Sequence, residues 1–177
     1  MMSFGTHWHG KDQQLVPFRP EHLLRAELKD DELKYMEMMP EWYEYIIDTA
    51  FADLSWSFCR LGQVACMFGI RPLWPGVGEV WMIPTVHTSR SAIALIKGGI
   101  HILDYIQEEY GVRRLQITVR SSNRTAYKYA EKMYFKIEGL MELFGPEGED
   151  YYMMARIRNG SSTDCPDRSV SRSCGIR

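Results

Sequence analysis

A chain of 177 residues, 45% hydrophobic and 25% charged, is long enough for one well-buried core and too short for two. Its formal net charge of −2 gives no overall electrostatic reason to expect nucleic acid or an anionic membrane as a partner. No stretch approaches the roughly 20 apolar residues that span a bilayer, and the opening MMSFGTHWHGKDQQ lacks the apolar centre of a secretory signal, so a soluble, unexported, cytoplasmic protein is expected.

In chain order, residues 1–14 read as a polar leader. Leu15 to Arg19 is a short strand, and Pro20 opens a helical segment whose apolar positions are Leu23, Leu24, Leu28, Leu33 and Tyr35. Pro40 to Phe51 is a second helix, with Pro40 and Glu41 at its start and Trp42, Tyr45, Ile46 and Thr49 along one face. Three strands follow, Leu54 to Arg60, Val64 to Ile70 and Glu79 to Thr85. The turn segments Leu61-Gly62-Gln63 and RPLWPGVG separate them, which implies an antiparallel meander.

From Ser91 to Tyr110 the period returns to three or four, with Ile93, Ile96, Ile100, Leu103 and Ile106 on one face and Gly111 as the stop. Gly98 and Gly99 in mid-helix imply close packing or a kink. Leu115 to Val119 is a β-branched strand and Asn123 to Phe135 a helix. Lys136 to Phe144 and Tyr151 to Ile157 are two closing strands around GPEGED. The order β α α β β β α β α β β defines an α+β domain over residues 15–157. Residues 158–177 turn to Gly, Ser, Asp and Arg, the composition of an extended or disordered tail or of a segment that orders on a protein partner.

Four cysteines, Cys59, Cys66, Cys165 and Cys174, lack CxxC spacing and read as free thiols in a reducing compartment. His7 and His9 flank Trp8, but a metal would need ligands from elsewhere, so no metal site is expected. A carboxylate on the central strand, Glu79, suits a general base, and His87 is a second candidate base. Asn123 is placed to cap the helix that follows it.

The element order, with GVRRLQITVRSSNRTAYKYAEKMYFKIEG at 111–139, resembles the second half of the GCN5-related N-acetyltransferase (GNAT) superfamily. The sharp part is the Gly111-Val112 turn, the strand ending at Val119, Ser122-Asn123, Ala126, Glu131-Lys132 and Phe135. The resemblance implies a mixed, mostly antiparallel central sheet flanked by helices. Two neighbouring parallel strands splay to receive the pantetheine arm of acetyl-CoA as an added strand, and its pyrophosphate rests at a helix N-terminus. An amine, from a small molecule or from a protein N-terminus or lysine, is the implied acceptor. Ile83 and Thr85 then fall on the cleft strand and Asn123 near the cofactor.

Counted back from Gly111, the family's pyrophosphate loop falls on Ser91, Ala92, Ile93, Ala94, Leu95 and Ile96, without its two glycines. Glycine lets backbone approach phosphate without a Cβ in the way, so Ala94 is tolerable there and Ile96 far less so. A one-turn shift instead places His87, Thr88, Ser89, Arg90 and Ser91 at the helix start, where hydroxyls and a guanidinium suit phosphate oxygens. Equally, Thr88 or Ser89 is a simple cap.

The family's acid, a tyrosine seven residues after the asparagine, aligns with Ala130, leaving Tyr129 as substitute if the helix is rotated or shifted. The glycine before Phe135 is replaced by Tyr134. Two readings stand: an acetyl-CoA-dependent N-acyltransferase, or an inactive structural or binding protein. Size, the VWMIPT strand and the non-glycine loop are also similar to the GNAT-like internal virion proteins of T7-type tailed phages, which implies host cytoplasm or virion as location.

Overall fold

The computed structural model describes residues 12–50 and 53–158. The leader up to residue 11, with the His7–Trp8–His9 group, and the segment from residue 159 onward lie outside the described residues, as do Phe51, Cys165 and Cys174.

The elements are β1 (Gln13–Pro17), α1 (Pro20–Arg25), α2 (Asp30–Met38), α3 (Trp42–Thr49), β2 (Ser55–Arg60), β3 (Gln63–Trp74) and β4 (Val77–Pro84). A 3-10 turn at Thr88–Ser91 then leads into α4 (Ala92–Glu109), followed by β5 (Arg114–Arg120), α5 (Arg124–Lys132), β6 (Lys136–Met141) and β7 (Tyr151–Ile157). The strands form one seven-stranded sheet in the order β1-β2-β3-β4-β5-β7-β6. Every pairing is antiparallel except β4 with β5. The expected α+β class and mostly antiparallel sheet are both present.

Several boundaries differ from the sequence reading: β3 runs on to Trp74 and β4 starts at Val77, so RPLWPGVG is mostly strand and not turn, and β6 ends at Met141. β1 begins at Gln13 and pairs with Arg60, so Gln13 and Gln14 belong to the sheet and not to a leader. The helical segment after Pro20 divides into α1 and α2 because Leu28 forms a bridge with Thr85, and the Val86 N–H donates to the Glu27 carbonyl at 3.0 Å. Tertiary pairing thus outcompetes local periodicity. At the other end Arg158 is tied back, its N–H donating to the Arg113 carbonyl at 3.0 Å and its guanidinium to the Gln107 carbonyl.

Each sheet face carries its own apolar layer. On one face α4 and α5 bury Ile102, Leu103, Ile106, Ala130, Met133 and Phe135 against Leu115, Val119 and Met154. On the other, α1 and α3 bury Leu23, Trp42 and Ile46 against Met67 and Ile83. Gly99 lets α4 approach α5 closely, since a Cβ there would meet Met133 Sδ at 2.7 Å. No helix among the described residues is long and apolar enough to cross a membrane.

α4 ends as the sequence indicates. The Tyr110 N–H donates to the Ile106 carbonyl at 3.2 Å, and Gly111 takes φ +62°. An added Cβ on Gly111 meets nothing within 4 Å, so only backbone strain opposes it. Gly111→Ala is expected to lower stability by about 1–2 kcal/mol in urea denaturation, with an unchanged denaturant slope.

Candidate active site

The parallel join is short. β4 and β5 pair only from Val77 with Arg114 to Glu79 with Gln116. Beyond that rung β4 continues to Pro84, held by β3, and β5 to Arg120, held by β7. A gap opens between them.

Alternation decides which backbone groups face this gap. The Thr85 N–H points to the Ala65 carbonyl of β3 at 3.4 Å, so Ile83 and Trp81, two and four residues back, also face β3. Val80 and Met82 therefore turn away from β3: the Glu79–Gln116 rung takes the Val80 N–H to the Gln116 carbonyl, and the Val80 C=O and the Met82 N–H and C=O are left facing the gap. Ile83 is a correction to the sequence reading: its backbone is committed to Met67, and its side chain is buried against α1 and α3.

Thr85 is also corrected. Fully buried, it donates its N–H to Thr88 Oγ1 at 2.8 Å, and its hydroxyl lies 2.8 and 3.0 Å from the Val64 and Ala65 carbonyls. That hydroxyl accepts the His87 N–H at 3.1 Å, while the Thr88 hydroxyl donates to Ala65 at 2.6 Å. These bonds leave Thr85 nothing for a ligand. Its work is to fix the turn that aims α4.

The helix mouth lies one turn earlier than counting back from Gly111 implies. α4 is regular from Ala92, so Ile96 sits in its second turn, where the missing glycines have no consequence. The mouth comprises the 3-10 turn with Arg90 and Ser91, followed by Ala92, Ile93 and Ala94. Ser91, the N-cap, is 2% exposed, and its Oγ has no hydrogen-bond partner among the described residues. A buried hydroxyl left unpaired costs about 1–3 kcal/mol. An anion at the helix N-terminus would satisfy it together with first-turn N–H groups beyond Ala92, whose own N–H donates to the Ser89 carbonyl. Arg60 reaches the same turn, donating to the Arg90 carbonyl at 2.5 Å.

Of the remaining candidates, Asn123 caps α5, its Oδ1 accepting the Ala126 N–H at 3.0 Å. Tyr129, on α5, packs against the buried cluster of Phe58, Ala65, Cys66 and Leu95, against which Met82 also packs, while the aligned Ala130 is buried in the core. Burial pushes the Tyr129 phenol up, and the nearby Cys66 thiol adds to the effect. Glu79 is ion-paired to Arg71, whose guanidinium also donates to Tyr45 Oη at 3.4 Å. His87 stands 3.4 Å from Glu27. Tyr134 takes φ +68°, the conformation a glycine would hold without strain.

One acidic side chain escaped the sequence reading. α2 lies over the ends of both splayed strands: its approach residue Leu28 bridges to Thr85, and Tyr35 reaches the end of β5. Tyr35 Oη accepts from Arg120 at 2.8 Å and lies 2.7 Å from Tyr151 Oη, while Arg120 pairs with Glu149 at 2.8 Å. Between these anchors Glu32 is half-buried in the first turn of α2. Burial raises its carboxyl to about 7, Asp31 adds to the rise, and Lys29 and Arg120 oppose it. In the sequence it is indistinguishable from the acidic first turn of any helix.

No protein-family model matches the sequence, and no curated protein does either. Solved structures do match. An acetyltransferase of the GNAT family from Bacillus anthracis aligns with a TM-score of 0.63 at 16% identity, covering 82% of this chain and 95% of its own. The fold is that of the GNAT acetyltransferases. The ribosomal-protein-S18-alanine N-acetyltransferase from Escherichia coli gives 0.62 at 15% identity over 86% of this chain and 98% of that one. A ribosomal L7/L12 α-N-protein acetyltransferase in complex with coenzyme A gives 0.61 at 14%, over 84% and 95%. In this GNAT fold the free edge at Met82 borders the gap, α5 packs on one face of the sheet, and α2 is anchored at the ends of β4 and β5.

The raised Glu32 carboxyl has a stability consequence of definite sign. The folded state holds a proton that the unfolded state releases near 4.5, so the contribution is complete below that pH and is lost as pH rises through about 7. Glu32→Gln is expected to melt a few degrees above the unsubstituted protein at pH 8, the difference shrinking as the pH approaches 4.5. Calorimetry across that range reads it directly.

Proposed function

We propose that this chain is an acetyl-CoA-dependent N-acyltransferase acting on an amine. The gap between β4 and β5, bordered by the free edge of β4 from the Val80 carbonyl to Met82 and opening beside the mouth of α4, carries the reading. An extended arm with amide groups fits that edge as an added strand. Ser91 Oγ, the first-turn N–H groups and the Arg90 and Arg60 guanidinium groups suit a pyrophosphate at its outer end.

Little side-chain chemistry is then required. Holding an amine against the thioester carbonyl supplies much of the rate, and an edge N–H of β4 is suited to the oxyanion. The buried Tyr129 phenol, kept protonated, suits donation to the departing thiolate. Asn123 acts as a cap, and Arg71 fixes Glu79 as a structural ion pair.

The acceptor is an amine whose identity the fold does not carry. The ribosomal-protein acetyltransferases named above make a protein N-terminus one candidate, beside a lysine or a small-molecule amine. Such an activity belongs in the cytoplasm, with acetyl-CoA. A structural protein or virion component has no observation in its favour.

Ile93 offers a test that leaves the fold intact. It is 74% exposed in the first turn of α4, where a carboxylate stabilises a helix yet repels a phosphate. Ile93→Glu is expected to keep or raise the melting temperature and to weaken coenzyme A binding at least about tenfold by calorimetry. Equal affinity in both proteins would exclude this mouth as the pyrophosphate site. Tyr129→Phe is expected to lower kcat about tenfold or more with KM little changed.

A further inference from the structure

We propose that the Glu32 carboxylate, carried over the gap by α2, takes the proton from the acceptor ammonium before acyl transfer; this role rests on the acyltransferase reading above. The geometry singles it out among the carboxylates near the gap. Glu79 sits at the last paired rung with its charge committed to Arg71. Glu27 faces His87 behind the connector that pairs with β4. The Glu32 carboxyl makes no ion pair or hydrogen bond among the described residues, its backbone N–H donating to the Lys29 carbonyl at 2.9 Å.

Two independent anchors hold its helix in place. The Leu28 bridge to Thr85 secures the approach to α2 at the end of β4, and Tyr35 secures α2 to Arg120 and Tyr151 at the ends of β5 and β7. Glu32 lies between them. The charged and titratable groups facing it are Lys29 and Asp31 from its own end of the helix, Arg120 from β5 and the buried Cys66 thiol from β3. Tyr35 is a positioning residue, acting through the placement of α2.

The step balances. An N–H bond of the ammonium breaks and its proton passes to a Glu32 oxygen, leaving a neutral amine with a free electron pair. That pair forms the N–C bond at the acetyl carbonyl. The C–S bond then breaks as the nitrogen loses a second proton, and coenzyme A leaves as a thiolate that takes up that proton. Glu32 returns its proton to water, so the sum is amide, free thiol and one released proton. A carboxyl titrating near neutrality suits proton exchange with solvent between turnovers.

The experiment compares the unsubstituted protein with Glu32→Gln, using acetyl-CoA with two nucleophiles, an N-terminally free alanyl peptide and hydroxylamine. The peptide is an ammonium at neutral pH and needs a base. Hydroxylamine is already uncharged and needs none. With the peptide, kcat/KM of the unsubstituted protein should rise through about pH 7 to a plateau. Glu32→Gln should lose roughly a hundredfold and lose that inflection. With hydroxylamine the variant should recover to within a few-fold, and coenzyme A affinity by calorimetry should match.

Three results would overturn the proposal: an unchanged peptide profile in Glu32→Gln, equal losses with both nucleophiles, or transfer to neither nucleophile by an unsubstituted protein that binds coenzyme A. A protein that does not bind coenzyme A at all would instead remove the acyltransferase reading, and the role of Glu32 with it. Coenzyme A affinity thus separates the two failures.

Discussion

Three rungs of parallel pairing, from Val77–Arg114 to Glu79–Gln116, join the two halves of this sheet, and the rest of the architecture follows from how few they are. β4 is bound on its far side to β3 as far as Pro84, and β5 to β7 over all seven of its residues. Each strand therefore follows the twist of its own half. Parallel pairing is slightly the weaker kind per residue, so the join is where the sheet yields. Beyond the Val80 N–H the edge of β4, the Val80 C=O and the Met82 N–H and C=O, has no strand partner among the described residues, and such groups are costly wherever water cannot reach them.

The surroundings of the gap come from distant parts of the chain. On one face of the sheet, α5 brings Tyr129 against the buried cluster that holds Cys66. On the other, α2 is pinned to both strands and carries Glu32. At the outer end of the gap the hydroxyls of Thr85 and Thr88 tie the 3-10 turn to β3, which fixes where α4 begins and leaves the Ser91 hydroxyl buried and unpaired among the described residues. Two groups suited to opposite proton movements, a phenol kept protonated and a carboxyl titrating near neutrality, thus lie on opposite faces of the sheet.

Much of this was legible in the residues. The helical period after Ser91, the stop at Gly111, the cap at Asn123 and the alternating strands follow from local chemistry and determine the order of elements, but the buried face of α4 is Leu95, Ile102, Leu103 and Ile106, and Ile93 is exposed. What failed was whatever depends on a non-local partner. Leu28 fits a helical period and is drawn out of it by Thr85. Ile83 looked like the cleft residue, whereas the register against β3 turns Met82 and Val80 to the gap instead. The loop counted back from Gly111 fell inside α4 because that helix starts at Ala92, a displacement decided by two threonine hydroxyls that no spacing rule encodes. Glu32 gave no signal because its environment is made of Arg120 and Cys66, each far away in sequence.

The exposed edge of β4 is most directly tested by amide hydrogen exchange, read residue by residue by NMR, with and without coenzyme A. Protection gained by the Met82 amide on binding, with Val80 protected throughout by β5 and Trp81 and Ile83 by β3, is the predicted result. Coenzyme A that leaves all four amides unchanged, or protects a different strand edge, would contradict the account.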